Sequence, residues 1–241
     1  MYKRFGKVAI TLALISTPSF MLADEGDGNG FFAGINTGYS VSFEKRTSAE
    51  TGQQTETKDT TIAPSYLNIG VQLGYNYMLT DFFGLRGYLD YNYGFNHNHT
   101  KTTITETGQQ NQITDTTTLD SSHAISVNVD VLLNILSSDT FAFGAYAGIG
   151  LGYATMNSTS KATDGGIITN TTTPEGDGFI LPINLGLSLT ANNHHRFELG
   201  FKIPTLGVKY TLPANQNQGN NNNETTTTRN LITTIGYSYI F

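Results

Sequence analysis

The chain has 241 residues, no cysteine and no tryptophan, with 26 glycines, 13 tyrosines and 14 phenylalanines, and a formal charge of -6. Without cysteine there is no disulfide framework, zinc-thiolate site, iron-sulfur centre or cysteine nucleophile, and an acidic balance without a basic block argues against nucleic acid as partner. Charged residues make up 13% of the chain, about half the level of roughly 25% usual in soluble domains, which together with the aromatics and glycines points to β-structure in an unusual solvent.

Residues 1–23 have the order of an export signal: cationic Lys3, Arg4 and Lys7, a short apolar run from Val8 to Ile15, a break at Pro18, and Met21-Leu22-Ala23 before an acidic stretch. The run is too short to span a bilayer as a helix. Cleavage after Ala23 removes three cations and no acid, leaving a charge of -9. Export by the Sec route is expected, with the mature domain at 24–241.

Downstream no run of 18 apolar residues occurs, and the mean hydropathy is -0.22. The period is informative instead. From Leu67 every second residue is apolar (Ile69, Val71, Leu73, Tyr75, Tyr77, Leu79), with Asn68, Gly70, Gln72, Gly74 and Asn76 between them. Such alternation gives a strand one apolar and one polar face. It recurs from Phe83 to Phe95, Ile125 to Ile135, Phe141 to Tyr153, Phe179 to Leu189 and Phe197 to Ile203. With Phe31 to Phe43 first and Arg229 to Phe241 last, eight strands are expected.

Their connections alternate in length. Thr80-Asp81, Ser137 to Thr140 and Ala191 to His194 are short, whereas 44–63, 97–121, 156–176 and 211–228 are long and polar. This is the plan of an all-β, eight-stranded antiparallel up-and-down transmembrane β-barrel with four extracellular loops and periplasmic termini. Bulky apolar residues share one face and small or charged ones the other. Glycines such as Gly148, Gly150 and Gly152 suit a narrow lumen crowded by Arg86, Tyr88 and Tyr146. Aromatics at strand ends suit the two membrane interfaces. Pro182 and Pro204 interrupt strands six and seven at nearly one level, so a bulge or weakly paired patch is expected between them.

The lumen face carries Arg86, Asp90, Asp130, Glu198 and Lys202, with Arg196 a further candidate. Unpaired charges in a narrow interior are costly, so these are expected to form a structural salt-bridge plug; an ion path is the alternative. His97, His99 and His123 near the outer ends of strands three and four lack a carboxylate at ligand spacing, and no metal site is assigned. Ser122-His123 with Asp120 is the one adjacent nucleophile–base pair, but neighbours on a strand face opposite ways, so no catalytic role and no cofactor are assigned. Loops one and two repeat a short motif, Glu50-Thr51-Gly52-Gln53-Gln54 and Glu106-Thr107-Gly108-Gln109-Gln110, flanked by alternating threonines. Threonine favours strands and glycine favours turns, so these hairpins are expected to continue above the membrane with the motif as the turn.

The chain ends Leu231, Thr233, Ile235, Tyr237, Tyr239, Phe241 at every second position. A terminal Phe241 with Tyr239 and Tyr237 before it resembles the signature that the barrel-assembly machinery reads in outer-membrane barrels. The stretch from His194 to Pro204, HHRFELGFKIP, resembles the C-terminal barrel region of the Helicobacter outer-membrane protein family. That resemblance covers the C-terminal third by motif and the other strands by pattern. It implies an outer-membrane location amid lipid and lipopolysaccharide. The implied role is structural or surface-interactive, adhesin-like, toward a host surface ligand; the alternative is a narrow porin-like channel. The long cysteine-containing N-terminal domain of the larger adhesins is missing, which sets this chain apart from them.

Overall fold

The computed structural model describes residues 28–49, 55–104, 112–164, 167–172, 175–212 and 224–241. The expected export signal at 1–23 and both Gly-Gln-Gln turn motifs lie outside the described residues. All regular structure among the described residues is β: β1 (Gly30–Ala49), β2 (Thr55–Thr80), β3 (Phe83–Ile104), β4 (Gln112–Ser138), β5 (Phe141–Asp164), β6 (Ile167–Thr172), β7 (Glu175–Ile180), β8 (Pro182–Ala191), β9 (His195–Pro204), β10 (Val208–Leu212) and β11 (Glu224–Ile240). No described helix is long and apolar enough to cross a membrane.

These pieces make eight walls. β1 to β5 are walls one to five, β6 to β8 form wall six, β9 and β10 form wall seven, and β11 is wall eight. Every pairing is antiparallel, and β1 pairs with both β2 and β11, which closes the sheet into a ring. Closure leaves no edge facing lipid, the condition for a sheet to exist there.

The ring is inverted relative to a soluble barrel. Exposed large apolar side chains point outward in rows, such as Leu67, Ile69, Val71 and Leu73 on β2 and Ile125, Val127 and Val129 on β4. Buried positions between them are mainly polar: Asn36, Asn68, Asn76, Asn92, Asn128 and Asn184 among others. A face of exposed leucine and isoleucine is stable only where the surrounding solvent is itself apolar, whereas the polar lumen satisfies its groups internally.

The short turns fall where expected. At Ala191–His194, Asn192 and Asn193 have φ of 51° and 58°. Ala191 pairs with His195, so three residues make the connection. The Ala191 carbonyl accepts from the His194 amide at 3.2 Å, and a turn of this hand needs positive φ at its two centres, which asparagine tolerates better than most side chains.

Much of the sequence expected as long loops is strand. β3 and β4 stay in register from Phe83↔Leu133 out to Ile104↔Gln112, and β1 and β2 pair out to Ala49↔Thr55 with register shifts between Ser40 and Ser42 and between Glu44 and Arg46. On β4 the lipid-facing apolar row begins at Ile125, so residues 112–124 stand beyond it, roughly 40 Å of strand at about 3.3 Å per residue. The hairpins therefore continue as polar staves above the membrane, and the loop ranges 44–63, 97–121 and 156–176 shrink to their tips. Residues 213–223, within the fourth expected loop, lie outside the described residues.

Walls six and seven are interrupted at the prolines. Pro182 is the direct register partner of Pro204, the last pair of the β8–β9 ladder. Above it, β7 and β10 share one register pair, Lys209↔Asp177. Between these rungs the backbone is tied through the Leu181 carbonyl, which accepts from the Thr205 amide at 3.1 Å and the Thr205 hydroxyl at 2.7 Å. Proline has no N–H to give the ladder, and two facing prolines remove donors from both strands at one level.

Candidate functional site

The lumen is crossed by two ion pairs. Arg86 lies on β3 and Glu198 on β9, the third and seventh of eight walls, which face each other across the ring. Arg86 is 1% exposed; its Nη1 donates to Glu198 Oε1, and its Nη2 and Nε donate to Asp130 Oδ2 on neighbouring β4 at 2.6 and 3.2 Å. Four residues further along the same two walls, Lys202 Nζ donates to Asp90 Oδ2 at 2.6 Å. The two ties have opposite polarity. Wall three supplies the cation in one and the anion in the other, so the walls attract at both levels.

Sequence parity places these five side chains inside; the structure decides the partners. Asp130 and Glu198 share Arg86, and Asp90 is left to Lys202. Arg196 stays apart, donating to Thr190 Oγ1 at 3.2 Å and Asn76 Oδ1 at 3.1 Å near the short-turn end.

Aromatic faces and amides complete the plug. The Arg86 guanidinium lies 4.6 Å from the Tyr146 ring centroid and 4.8 Å from that of Tyr88, with Phe32 at 5.8 Å. A desolvated cation over a ring face gains about 2 kcal/mol, which offsets part of its dehydration. Asn184 donates to Asn128 Oδ1 at 3.0 Å and Asp130 Oδ1 at 3.2 Å, and Asn128 donates to Ser126 Oγ at 2.9 Å. Sequence reasoning missed this amide band; its inward parity was visible, but asparagines read as generic lumen lining.

Two glycines show how closely the lumen is filled. A Cβ on Gly148 would lie 2.1 Å from Asp130 Oδ1, and one on Gly186 would lie 2.5 Å from the Tyr146 hydroxyl oxygen. Neither side chain could keep its place beside Arg86 if those positions carried a methyl group.

The other candidates do not assemble. His97 pairs in register with Leu119, whereas His123 pairs with Tyr93, four residues along β4. The His123 ring packs on Tyr93 and its Nδ1 bonds to the Tyr91 hydroxyl at 2.8 Å. Asp120 instead accepts from Ser158 and Asn96. Among the described residues no group of three His, Asp or Glu is placed to hold a metal ion.

At the short-turn end the last strand is bound by aromatics. Phe241 donates its amide to the Phe31 carbonyl at 2.8 Å, and its ring meets Tyr239 edge-on. Tyr239 stacks on His194, and the Tyr237 hydroxyl bonds to His195 Nδ1 at 2.9 Å. The His194-His195 pair thus joins the aromatic belt at the membrane interface.

No curated protein matches the chain. Among solved structures it is similar to the outer membrane protein OprG of Pseudomonas aeruginosa, with 16% identity over 90% of this chain and 98% of that one, and a TM-score of 0.49. It is also similar to Neisserial surface protein A, at 12% identity over 90% and 100% of the two chains and a TM-score of 0.39. A third is Ail, the attachment invasion locus protein of Yersinia pestis, at 13% identity over 88% and 99% and a TM-score of 0.31. At such scores the barrel assignment rests on this chain's own closed strand register. The family described as Helicobacter outer membrane protein matches residues 70–241, a span from the middle of β2 to the terminal phenylalanine that includes both lumen ties and the proline seam. The chain belongs to the Helicobacter outer membrane protein family, and it is a β-barrel of the bacterial outer membrane.

Proposed function

We propose that this barrel is a plugged, non-enzymatic anchor, and that its polar hairpins above the membrane provide its function as an adhesin-like surface contact. The observation that supports the plug is the pair of ties across the lumen, Arg86 to Glu198 and Lys202 to Asp90. An eight-stranded ring is only wide enough for its own side chains, and here those side chains meet in the middle. What remains for interaction is outside: three paired staves of threonine, serine and asparagine rising from the lipid level. Their chemistry suits hydrogen bonding to sugars, whether of a host surface or of neighbouring lipopolysaccharide. Assembly by the barrel-assembly machinery through Tyr237, Tyr239 and Phe241 belongs to the same reading.

Single-channel recording of the refolded protein in a planar bilayer, after heat-modifiable gel mobility confirms folding, tests the plug. Silence is expected from wild type. Reproducible conductance steps that change with Arg86 or Lys202 substitution would make the protein a narrow channel and overturn the proposal.

The surface role has its own test. His97 and Leu119 are register partners, so residues 98–118 can be replaced by Asn-Gly, a turn that fits a two-residue hairpin. The trimmed barrel is expected to fold and reach the surface, while adherence of the producing bacteria to epithelial cells falls. Undiminished adherence would remove this hairpin from the contact.

A further inference from the structure

The ladder between walls seven and eight is broken beyond the prolines. β11 pairs with β9 as far as Ile232↔Lys202 and resumes with β10 at Thr228↔Val208, so residues 203–207 stand opposite 229–231 without a register pair. The longer stretch cannot lie flat against the shorter one. On the outside of the ring an open groove of about 560 Å³ lies at this break. The part nearer the membrane centre is apolar, formed by Phe43, Ile203 and Leu231. On β1 and β11 the outward apolar row ends there, and the next outward positions are Lys45 and Arg229.

The other part of the groove carries three cations. Lys45 on β1 and Lys209 on β10 are both register partners of Thr227 on β11, so the two lysines flank this threonine on one face. Strands about 4.8 Å apart put the two lysine backbones about 10 Å from each other, close enough for both side chains to reach one group over Thr227. Arg229, two residues along β11, points the same way. All three cations are exposed and line the groove with Thr227. Among the described residues none of the three forms an ion pair. The carboxylate beside the row, Asp177, pairs in register with Lys209 but accepts from the Tyr153 hydroxyl. Gly207 holds the row close to wall seven: a Cβ there would lie 2.7 Å from Thr227 Cγ2 and 3.0 Å from Arg229 Cγ.

We propose that this groove is a binding site for a phosphorylated glycolipid of the outer leaflet, lipopolysaccharide, held by a phosphate of its lipid anchor. The phosphate lies over Thr227 between Lys45 and Lys209 and accepts from Arg229, and an adjoining acyl chain runs over Phe43, Ile203 and Leu231. A phosphate monoester carries a charge of about -1.5 to -2 at neutral pH, which more than one cation is needed to balance. Arginine also binds two of its oxygens at once. The apolar half of the groove gives nothing to a free phosphate ion; it fits an anion tethered to an acyl chain. The cations stand on the hairpin side of the apolar rows, which is the outer leaflet. The site lies on the outside of the ring, so it depends neither on the lumen plug nor on what the hairpins bind.

The test is native mass spectrometry of the refolded barrel in detergent, titrated with deep-rough lipopolysaccharide. Retention of one lipid per barrel is expected. The same lipid stripped of its phosphates should bind about a hundredfold more weakly, the combined worth of three cations at a charged lipid surface. Lys45→Gln with Lys209→Gln and Arg229→Gln should lose as much toward the intact lipid. Heat-modifiable mobility should persist in this variant, because the three side chains are exposed and unpaired. Lys161→Gln, at an exposed lysine on β5, is the control and should bind as wild type does. Lys45→Arg with Lys209→Arg should keep the lipid.

Equal binding of the intact and the dephosphorylated lipid, or undiminished binding by the triple glutamine variant, would overturn the phosphate site. Displacement of the lipid by millimolar inorganic phosphate would show that the anion alone is recognised and would overturn the lipid assignment. Phosphatidylglycerol, a diester with a single charge, should bind more weakly; equal binding would overturn the assignment to the glycolipid.

Discussion

Replacing Arg86 with leucine is expected to destabilise the folded barrel by about 3–5 kcal/mol, the usual cost of breaking a buried pair by removing one partner. At a urea slope of about 2 kcal/mol per molar, the unfolding midpoint falls by roughly 2 M. The cause is specific. Asp130 and Glu198 both direct an oxygen at the guanidinium, and with it gone two carboxylates face each other in a site closed to water. Asp130 keeps the Asn184 amide at 3.2 Å, so the greater burden falls on Glu198. Tyr88 and Tyr146 also lose the cation over their faces. Adding Asp130→Asn and Glu198→Gln to Arg86→Leu should recover most of the loss, because neutral groups need no counter-charge. An unchanged midpoint in Arg86→Leu alone would show that water reaches these carboxylates and that the lumen is not plugged.

Removing Phe241 is expected to act in the opposite place. Its side chain is 67% exposed, and it contributes one edge hydrogen bond, to Phe31, and one ring contact, to Tyr239. Together these are worth about 1–2 kcal/mol, so the truncated chain should refold in detergent with a nearly unchanged urea midpoint. In cells its surface level should collapse. That split separates a recognition signal, displayed before the barrel exists, from a structural contact within it. Normal surface levels of the truncated protein would show that the terminal ring is not read, and equal losses in both assays would assign it a purely structural part.

The walls of the barrel were legible because lipid and lumen impose opposite preferences on alternate residues. Leu67 to Leu79 are oriented by their alternation alone. The facing prolines were legible for the same reason, since counting outward from Asn192-Asn193 reaches Pro182 and Pro204 at one level. The pairings inside the lumen were not. Arg86 and Asp90 lie on one face of one strand, and parity alone cannot say which anion across the ring each level meets; that depends on how the strands are staggered around the whole ring. The staves above the membrane were half legible. With water on both faces a threonine-rich strand needs no apolar row, so β4 before Ile125 lacks the contrast that marks a strand, and its threonines were the remaining signal.

The ties across the lumen also bear on the order of folding. Arg86 meets Asp130 as soon as β3 and β4 form a hairpin, at a separation of 44 residues, but meets Glu198 across 112. Walls three and seven become opposite only when the sheet has curled and wall eight has met wall one. The Glu198 contact is therefore absent from any open-sheet intermediate and forms at closure, as does the contact of Lys202 with Asp90, across 112 residues. Interactions missing from the transition state slow unfolding without speeding folding. The two ties are thus a latch rather than a nucleus: they set how long a finished barrel lasts in the membrane.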